Sequence, residues 1–243
     1  MVPEVSRVAF VTGGGRGIGA ATARRIARAG VAVVVADRDL DAARAVASEF
    51  DGLAVRVDVA RPDEVTAAVE QAVAWGGGLH LAYNNAGITG VWADLADYPD
   101  DVFWRVQRVN VGGVLSCMRA QLPHLLAAGG GAIVNAASGA GVRGVARSSA
   151  YVASKHAIVG LTRTAAVEYA SRGVRVNAVA PGLVRTGLVD GLDDFAAAHP
   201  VGRAAEPEEV AEAVWWLLDG APFVTGVVLP VDGGLLAPVP GLS

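Results

Sequence analysis

The sequence predicts one α/β domain, in which a doubly wound parallel sheet of seven strands carries helices on both faces. Apolar runs of about six residues alternate with amphipathic stretches of helical length along the whole chain. Hydrophobic residues make up 53% of the 243 residues and charged residues only 18%, so the chain has a large core to bury and is not disordered. No change of composition marks a linker, and we expect residues 1–243 to form a single domain.

The apolar runs are typical of buried strands, because they are rich in Val and Ala and end at Gly or polar residues. Strands are predicted at 7–12, 31–37, 53–59, 79–87, 132–138, 174–181 and 225–234. Helices are predicted at 20–30, 39–50, from 61 onward, from 99 to about 127, 149–171 and 206–220. Pro62 suits the first turn of the third helix, and Gly30 suits the end of the first.

Charge and cysteine content exclude several classes of protein. The formal net charge is −4 with acidic and basic residues interleaved, which argues against a nucleic-acid-binding or membrane-binding surface. No apolar run reaches the ~18–20 residues of a membrane span, and the first ten residues lack the pattern of a signal peptide. Cys117 is the only cysteine, which favours a reducing compartment, so we expect a cytoplasmic protein. No metal is expected, because the histidines have no metal-ligand spacing: His80, His124, His156 and His199.

A glycine-rich turn, Thr12–Gly19, joins the first strand to the first helix. Glycines there let the backbone approach a pyrophosphate and let the helix N-terminus point free N–H groups at its charge. A tight turn without a ligand would also use glycines, and the spacing differs from the common Gly-x-Gly-x-x-Gly. No Gly-Lys-Ser/Thr follows, which excludes a nucleoside triphosphatase loop. The candidate contacts are Gly13, Arg16, Gly17, Ile18 and Gly19.

Asp37 ends the second strand and favours NAD over NADP. A carboxylate at this place accepts hydrogen bonds from the adenosine ribose diol and repels a 2′-phosphate. Arg16 and Arg38 are the opposing observation, because either guanidinium could pair with that phosphate.

Polar or glycine residues follow the later strands at their carboxyl ends. They are Asp58, Asn84-Asn85-Ala86-Gly87, Ser138 and Pro181-Gly182. Ligands of open α/β sheets bind beyond these ends, so the series predicts a long cofactor laid across a Rossmann-type sheet.

Tyr151 and Lys155 are four residues apart on a predicted helix and therefore share a face. Lys155 is the only lysine among the 20 basic residues. A phenol has a pKa of about 10, and acting as a base near neutrality needs a decrease of roughly 3 units, or about 4 kcal/mol. An ammonium ~4 Å away supplies about that much at an effective dielectric constant of 20. We therefore expect Lys155 to lower the pKa of Tyr151.

Taken together, these motifs resemble the short-chain dehydrogenase/reductase family over essentially the whole chain. The matching residues are Thr12-Gly13-x-x-x-Gly17-x-Gly19, Asn84-Asn85-Ala86-Gly87, Asn110, Ser138, Tyr151-x-x-x-Lys155 and Pro181-Gly182. The resemblance implies that Tyr151 exchanges a proton with the substrate oxygen while hydride passes to or from a nicotinamide. It also implies that Lys155 holds the nicotinamide ribose, that Ser138 orients the substrate oxygen, and that Asn110 anchors a water.

The resemblance extends the set of cofactor contacts. Val184 and Thr186 match positions that hold the nicotinamide carboxamide, and Asp58 and Val59 match positions beside the adenine. The full expected set comprises Gly13, Arg16, Gly17, Ile18, Gly19, Asp37, Arg38, Asp58, Val59, Asn85, Ala86, Gly87, Tyr151, Lys155, Pro181, Gly182, Val184 and Thr186.

The implied activity is interconversion of a secondary alcohol and a ketone with NAD, and we favour a neutral substrate. The substrate loop is expected at about 187–206, where Asp190, Asp193 and Asp194 suit an anionic substrate poorly. A 3-oxoacyl-[acyl-carrier-protein] reductase using NADPH is the alternative, for which Arg119, Arg163 and Arg172 could form a docking patch. A non-catalytic dinucleotide-binding regulator is a further alternative, but it would not need the Ser, Tyr and Lys set.

A homotetramer is the oligomeric state that the resemblance implies. The apolar tail LLAPVPGLS would suit an interface between subunits, although a tail folded back on its own subunit explains it nearly as well.

Overall fold

The structure, a computed structural model, describes residues 7–186 and 199–237, which form one sheet flanked by helices. The strands are β1 (Val8–Thr12), β2 (Ala32–Asp37), β3 (Leu53–Arg56), β4 (Leu81–Asn84), β5 (Gly131–Ala136), β6 (Val174–Pro181) and β7 (Val228–Val231). The helices are α1 (Gly17–Ala27), α2 (Leu40–Ala47), α3 (Pro62–Gly76), α4 (Asp100–Gln107), α5 (Gly113–Ala127), α6 (Ser149–Tyr169) and α7 (Pro207–Trp215).

The strands are all parallel and lie in the order β3-β2-β1-β4-β5-β6-β7 across the described sheet. From β1 the chain first builds outward to β2 and β3, then returns to the other side of β1 at β4. This reversal leaves a crevice at the carboxyl ends of β1 and β4, which is where open α/β sheets bind their ligands. The predicted doubly wound parallel sheet is confirmed.

One apolar core lies on each face of the sheet, because successive strand side chains point to opposite faces. Val8 and Phe10 of β1 belong to the core covered by α3, α5 and α6. Ala9 and Val11 belong to the core covered by α1, α2 and α7. All four side chains are fully buried. The high Val and Ala content of the chain therefore fills two thin layers between sheet and helices.

Several strands are shorter than predicted, among them the fourth, which was expected over 79–87 and spans Leu81–Asn84. The third strand was expected to reach residue 59 but ends at Arg56, and the seventh was expected to span 225–234 but ends at Val231. In each case the neighbouring strand ends at the same level: Arg56 pairs with Asp37, and Val231 pairs with Pro181. A strand without a partner cannot continue its ladder of hydrogen bonds.

The helices also differ from the prediction in detail. The first helix begins at Gly17 rather than at residue 20. The long helix expected from Pro99 to about residue 127 is interrupted by one wide π-type turn, Arg108–Gly112, between α4 and α5. Such turns occur frequently at functional sites, and this one contains the buried Asn110.

Four buried polar side chains form a network below the carboxyl ends of β4 and β5. Asn84 Nδ2 donates to Gln121 Oε1 (3.1 Å) and to Asn135 Oδ1 (3.0 Å), while Gln121 Nε2 donates back to Asn84 Oδ1 (2.8 Å). Asn135 Nδ2 donates to Thr162 Oγ1 at 3.0 Å. The network joins two central strands to α5 and α6 and satisfies the amides, which would be costly to bury alone.

Replacing Gln121 tests this network. Gln121→Leu leaves the buried Asn84 Oδ1 without its donor and should lower the free energy of unfolding by about 1–3 kcal/mol, measured by urea denaturation. Gln71→Leu, at an exposed position of α3, is the control and should change it by less than about 0.5 kcal/mol. Equal stability of the two variants would contradict the assignment.

Candidate active site

The glycine-rich turn is shaped by close backbone approaches that only glycine permits. Gly13 has a φ of +62°, in the left-handed region that side chains avoid. A Cβ on Gly19 would collide with the carbonyl oxygen of Gly13, and one on Gly13 would lie 2.8 Å from Asn85 Nδ2. The turn therefore packs directly against the start of α1 and against the segment that follows β4.

The N-terminus of α1 fits a pyrophosphate. The helix begins at Gly17, and its N-cap residue, Arg16, makes no side-chain hydrogen bond to the first turn. Free N–H groups at such an end attract anions. A Cβ on Gly17 would lie 3.2 Å from Thr186 Cβ, so the chain leaving β6 reaches this helix end. The structure thus brings together two segments that the sequence separates widely, as a shared dinucleotide site requires.

Asp37 lies beside the glycine-rich turn. Its Oδ2 accepts a hydrogen bond from Gly15 N (2.9 Å) and its Oδ1 accepts one from Asp39 N (3.0 Å), which hold the carboxylate in place. Arg16 forms an ion pair with Asp39 at 2.8 Å, and Arg38 is exposed. The carboxylate keeps further lone pairs that could accept ribose hydroxyls.

The segments that follow β3 and β4 contain further predicted cofactor contacts. The hydroxyl of Thr12 accepts hydrogen bonds from Asn85 N (3.0 Å) and Ala86 N (3.2 Å), and this ties β4 to the end of β1. Asp58 Oδ1 accepts a hydrogen bond from Ala60 N at 2.9 Å. The side chain of Val59 is buried, next to Gly113 at the start of α5.

Tyr151 and Lys155 share one face of α6, as the spacing predicts. The Lys155 ammonium lies 5.4 Å from the centroid of the Tyr151 ring and donates to the carbonyl oxygen of Ala136 at 2.7 Å. The side chain of Ser138, two residues beyond β5, interacts with that of Tyr151, and its Oγ accepts a hydrogen bond from Ala140 N. A Cβ on Gly87 would lie 3.7 Å from Lys155 Nζ, so the segment after β4 closes the other side.

Burial dominates the ionisation of both groups. It raises the pKa of the Tyr151 phenol above its usual value of 10, and the hydrogen bond with Ser138 opposes this only in part. It lowers the pKa of Lys155 to about 8. The expected decrease of the Tyr151 pKa is not seen in this structure, because desolvation of the phenolate raises that pKa and the opposing effect comes from Ser138.

Asn110 lies in the π-type turn and holds two other segments of the site. Its side chain accepts from Ile88 N (2.9 Å) and donates to Ile88 O (2.9 Å) and to Ser154 Oγ (2.9 Å). Ser154 Oγ in turn donates to the carbonyl oxygen of Tyr151 at 2.7 Å. Sequence reasoning missed Ser154, because a serine inside a helix gives no pattern that marks it.

The segment that follows β6 is held by a histidine that sequence reasoning also missed. His199 Nε2 accepts from Leu183 N at 3.0 Å, and a Cβ on Gly182 would lie only 2.6 Å from this nitrogen. Val184, which is buried, pairs with Ala205 through a short parallel bridge. The spacing of the four histidines bears only on whether they could bind a metal. It gives no sign that His199 accepts a hydrogen bond from Leu183.

Part of the predicted substrate loop, residues 187–198, lies outside the described residues, and so do Asp190, Asp193 and Asp194. Within the described ranges, no group of three or more His, Cys, Asp or Glu side chains could hold a metal ion. No helix in that part of the chain is long and apolar enough to cross a membrane.

A Rossmann-type crevice with an open helix N-terminus, together with adjoining Ser, Tyr and Lys side chains, defines the class of nicotinamide-dependent oxidoreductases. Comparison with known proteins agrees. The family model described as enoyl-(acyl carrier protein) reductase matches residues 13–236. Cyclohexanol dehydrogenase of Acinetobacter sp. (strain SE19) is 46% identical over 236 residues, covering 94% of this chain and 94% of that protein.

Two further proteins are similar over most of their length. Cis-4-hydroxycyclohexanecarboxylate dehydrogenase of Sinomonas cyclohexanicum is 47% identical over 241 residues, covering 95% of this chain and 97% of that protein. The crystal structure of 3-ketoacyl-(acyl-carrier-protein) reductase from Brucella melitensis complexed with NADH has a TM-score of 0.91 at 35% identity, covering 96% and 99%. The chain belongs to the short-chain dehydrogenase/reductase family. It is an oxidoreductase of CH–OH groups that interconverts secondary alcohols and ketones.

The depressed pKa of Lys155 predicts how stability depends on pH. With a pKa of about 8, the folded protein binds fewer protons than the unfolded chain between about pH 8 and 10.4, so wild-type stability rises with pH in that window. Lys155→Met should raise the free energy of unfolding at pH 7 by up to roughly 3 kcal/mol, and this gain should shrink toward about pH 10.

Thermal unfolding across this pH range measures the effect. Arg163→Met, at an exposed position of the same helix, is the matched control and should show no such pH-dependent gain. A Lys155→Met variant less stable than wild type at neutral pH would show that the burial penalty is not the dominant effect.

Proposed function

We propose that the protein is an NAD-preferring dehydrogenase of uncharged cyclic secondary alcohols, with Tyr151, Lys155, Ser138 and Asn110 as its functional set. The observation that carries the proposal is the junction of Ser138 and Lys155 at Tyr151, beside the crevice formed by the glycine-rich turn. The bound nicotinamide would supply the hydride acceptor or donor.

Tyr151 exchanges a proton with the substrate oxygen, for which general acid–base catalysis supplies about 100- to 10,000-fold. Its raised pKa keeps the phenol protonated at neutral pH, which suits donation to a ketone. Oxidation of an alcohol needs the phenolate and is expected to improve as pH rises. Ser138, whose side chain meets that of Tyr151, donates a hydrogen bond to the same substrate oxygen and fixes its position.

Lys155 and Asn110 hold the surroundings of Tyr151. The Lys155 ammonium keeps two donor hydrogens beyond its bond to Ala136 O, and these can reach the ribose hydroxyls of the cofactor. Asn110 connects Ile88 to Ser154 and through it to the backbone of Tyr151. It therefore positions α6 relative to the segment after β4, and a water beside it would link Lys155 to solvent.

The preference for NAD rests on Asp37. Its carboxylate is fixed by Gly15 N and Asp39 N beside the glycine-rich turn, and it would accept hydrogen bonds from the adenosine ribose of a bound cofactor. Arg16 forms an ion pair with Asp39, so its guanidinium is less available to bind a 2′-phosphate. The remaining cofactor contacts are those given by the glycine-rich turn and by the segments after β3, β4 and β6.

A cyclic substrate is supported by two relatives, which are named for cyclohexanol and for a hydroxycyclohexanecarboxylate. Of these two substrates only cyclohexanol is uncharged. A 3-oxoacyl-[acyl-carrier-protein] reductase is the second candidate, because a structure of that name has a TM-score of 0.91. The net charge of −4 opposes it, since that activity is expected to need a basic docking patch. Asp37 does not separate the two candidates, because that reductase structure is complexed with NADH.

A cytoplasmic homotetramer is the expected state of the protein. Two apolar side chains left in water on helices next to the site support further association: Trp104 of α4 is 62% exposed and Val167 of α6 is 83% exposed.

Removing the phenol oxygen tests the proton transfer. Tyr151→Phe should lower kcat for cyclohexanol oxidation at least about 100-fold while the Kd for NADH stays nearly unchanged, because the ring still packs. Steady-state kinetics and a fluorescence titration measure the two quantities. Tyr169→Phe, at the far end of α6, should leave both unchanged. Full activity of Tyr151→Phe would refute the assignment.

Asp37→Ala tests the cofactor preference. The change removes the ribose acceptor and the repulsion of a 2′-phosphate, so the ratio of kcat/KM for NAD to that for NADP should fall by about 10-fold or more. Asp37→Asn keeps an acceptor for Gly15 N and separates loss of charge from loosening of the turn. Asp41→Ala, at an exposed position of α2, is the control. A wild type that already prefers NADP would contradict the interpretation of Asp37.

A further inference from the structure

The chain forms a tight turn after β7, at Asp232–Leu236. Asp232 Oδ1 accepts from Gly234 N (3.0 Å) and its Oδ2 accepts from Leu236 N (2.8 Å). Gly233 and Gly234 have φ values of +58° and +89°, which other residues rarely adopt. Both oxygens of the Asp232 carboxylate are thus used to shape the backbone, and the turn has one defined form.

This turn is attached to the segment that ends the substrate loop. Val201 N donates to Gly233 O at 3.1 Å, and a Cβ on Gly234 would lie 3.1 Å from Pro200 Cγ. On its other side, Gly182 N donates to Val231 O at 3.0 Å. Backbone hydrogen bonds therefore tie the end of β7 and the turn to the segment after β6 and to Val201.

The two leucines of the turn lie beside the residue that follows Ser138. A Cβ on Gly139 would be 3.9 Å from Leu235 Cδ2 and 4.0 Å from Leu236 Cδ1, which is ordinary van der Waals contact. Both leucines are only half-buried. They fold back on their own chain, as one of the two interpretations of the apolar tail predicts, while residues 238–243 lie outside the described part.

We propose that Leu235 and Leu236 form an apolar wall of the substrate site and select alcohols in which a hydrocarbon ring carries the reacting carbon. A substrate oxygen held by Ser138 places its ring next to Gly139 and hence within reach of these side chains. The carboxylate of Asp232 accepts hydrogen bonds from its own backbone, at Gly234 N and Leu236 N. This inference rests on the proposed function and assigns residues to its substrate preference.

The test compares a ring with a small alcohol at saturating NAD. Leu235→Ala and Leu236→Ala should each lower the ratio of kcat/KM for cyclohexanol to that for 2-propanol by about 10-fold, because only the ring extends to the wall. Leu236→Val should lower this ratio less than Leu236→Ala does. It replaces the alanine variants in the test if these unfold at too low a temperature. Phe223→Ala, a fully exposed side chain at the amino-terminal edge of the sheet, is the control.

Four outcomes are decisive. A lower ratio with an unchanged kcat/KM for 2-propanol supports the wall. An unchanged ratio in folded variants overturns it, and so does an equal loss for both alcohols, which would mean that the leucines only support Ser138. A wild type that oxidises neither alcohol would remove the proposed function itself, and with it this inference.

Discussion

The Lys155 ammonium is buried in surroundings of low polarity, where a charge is unfavourable, and most of the site is arranged around it. Burial lowers its pKa to about 8, yet a carbonyl oxygen at 2.7 Å and the ring of Tyr151 at 5.4 Å keep it fixed at the end of β5. The same low polarity raises the pKa of the phenol. Folding therefore bears an electrostatic cost at this position, which is common where a group is retained for chemistry rather than stability.

Buried hydrogen-bond networks next to the site offset that cost. The amides of Asn84, Gln121 and Asn135 connect β4 and β5 to the two helices on one face, near the proposed functional residues. Asn110 and Ser154 form a second set of bonds above them. Such networks favour one arrangement of their elements, because every alternative leaves a buried polar group without a partner. The packing of the central strands therefore determines the geometry of the site.

The two ends of the site differ in character. On the cofactor side, backbone groups and glycines dominate: the turn after β1, the start of α1 and the chain leaving β6 approach one another closely. On the side that we propose for the substrate, the half-buried Leu235 and Leu236 of the turn after β7 lie beside Gly139. His199 stands between them, since it accepts a backbone hydrogen bond from the β6 exit and adjoins the segment that contacts the turn.

The sequence by itself determined the alternation of strands and helices, the parallel sheet, and the shared face of Tyr151 and Lys155, because these follow from local periodicity and from helical spacing. It also placed the strand-end residues on one edge. Tertiary structure decided where β3 and β7 stop, since a strand ends with its partner, and where the long helix widens around Asn110. It alone decided the pKa of Tyr151, the contact of His199 and the position of Leu235 and Leu236. Desolvation and contacts between distant segments depend on how the whole chain packs, and no local pattern carries that information.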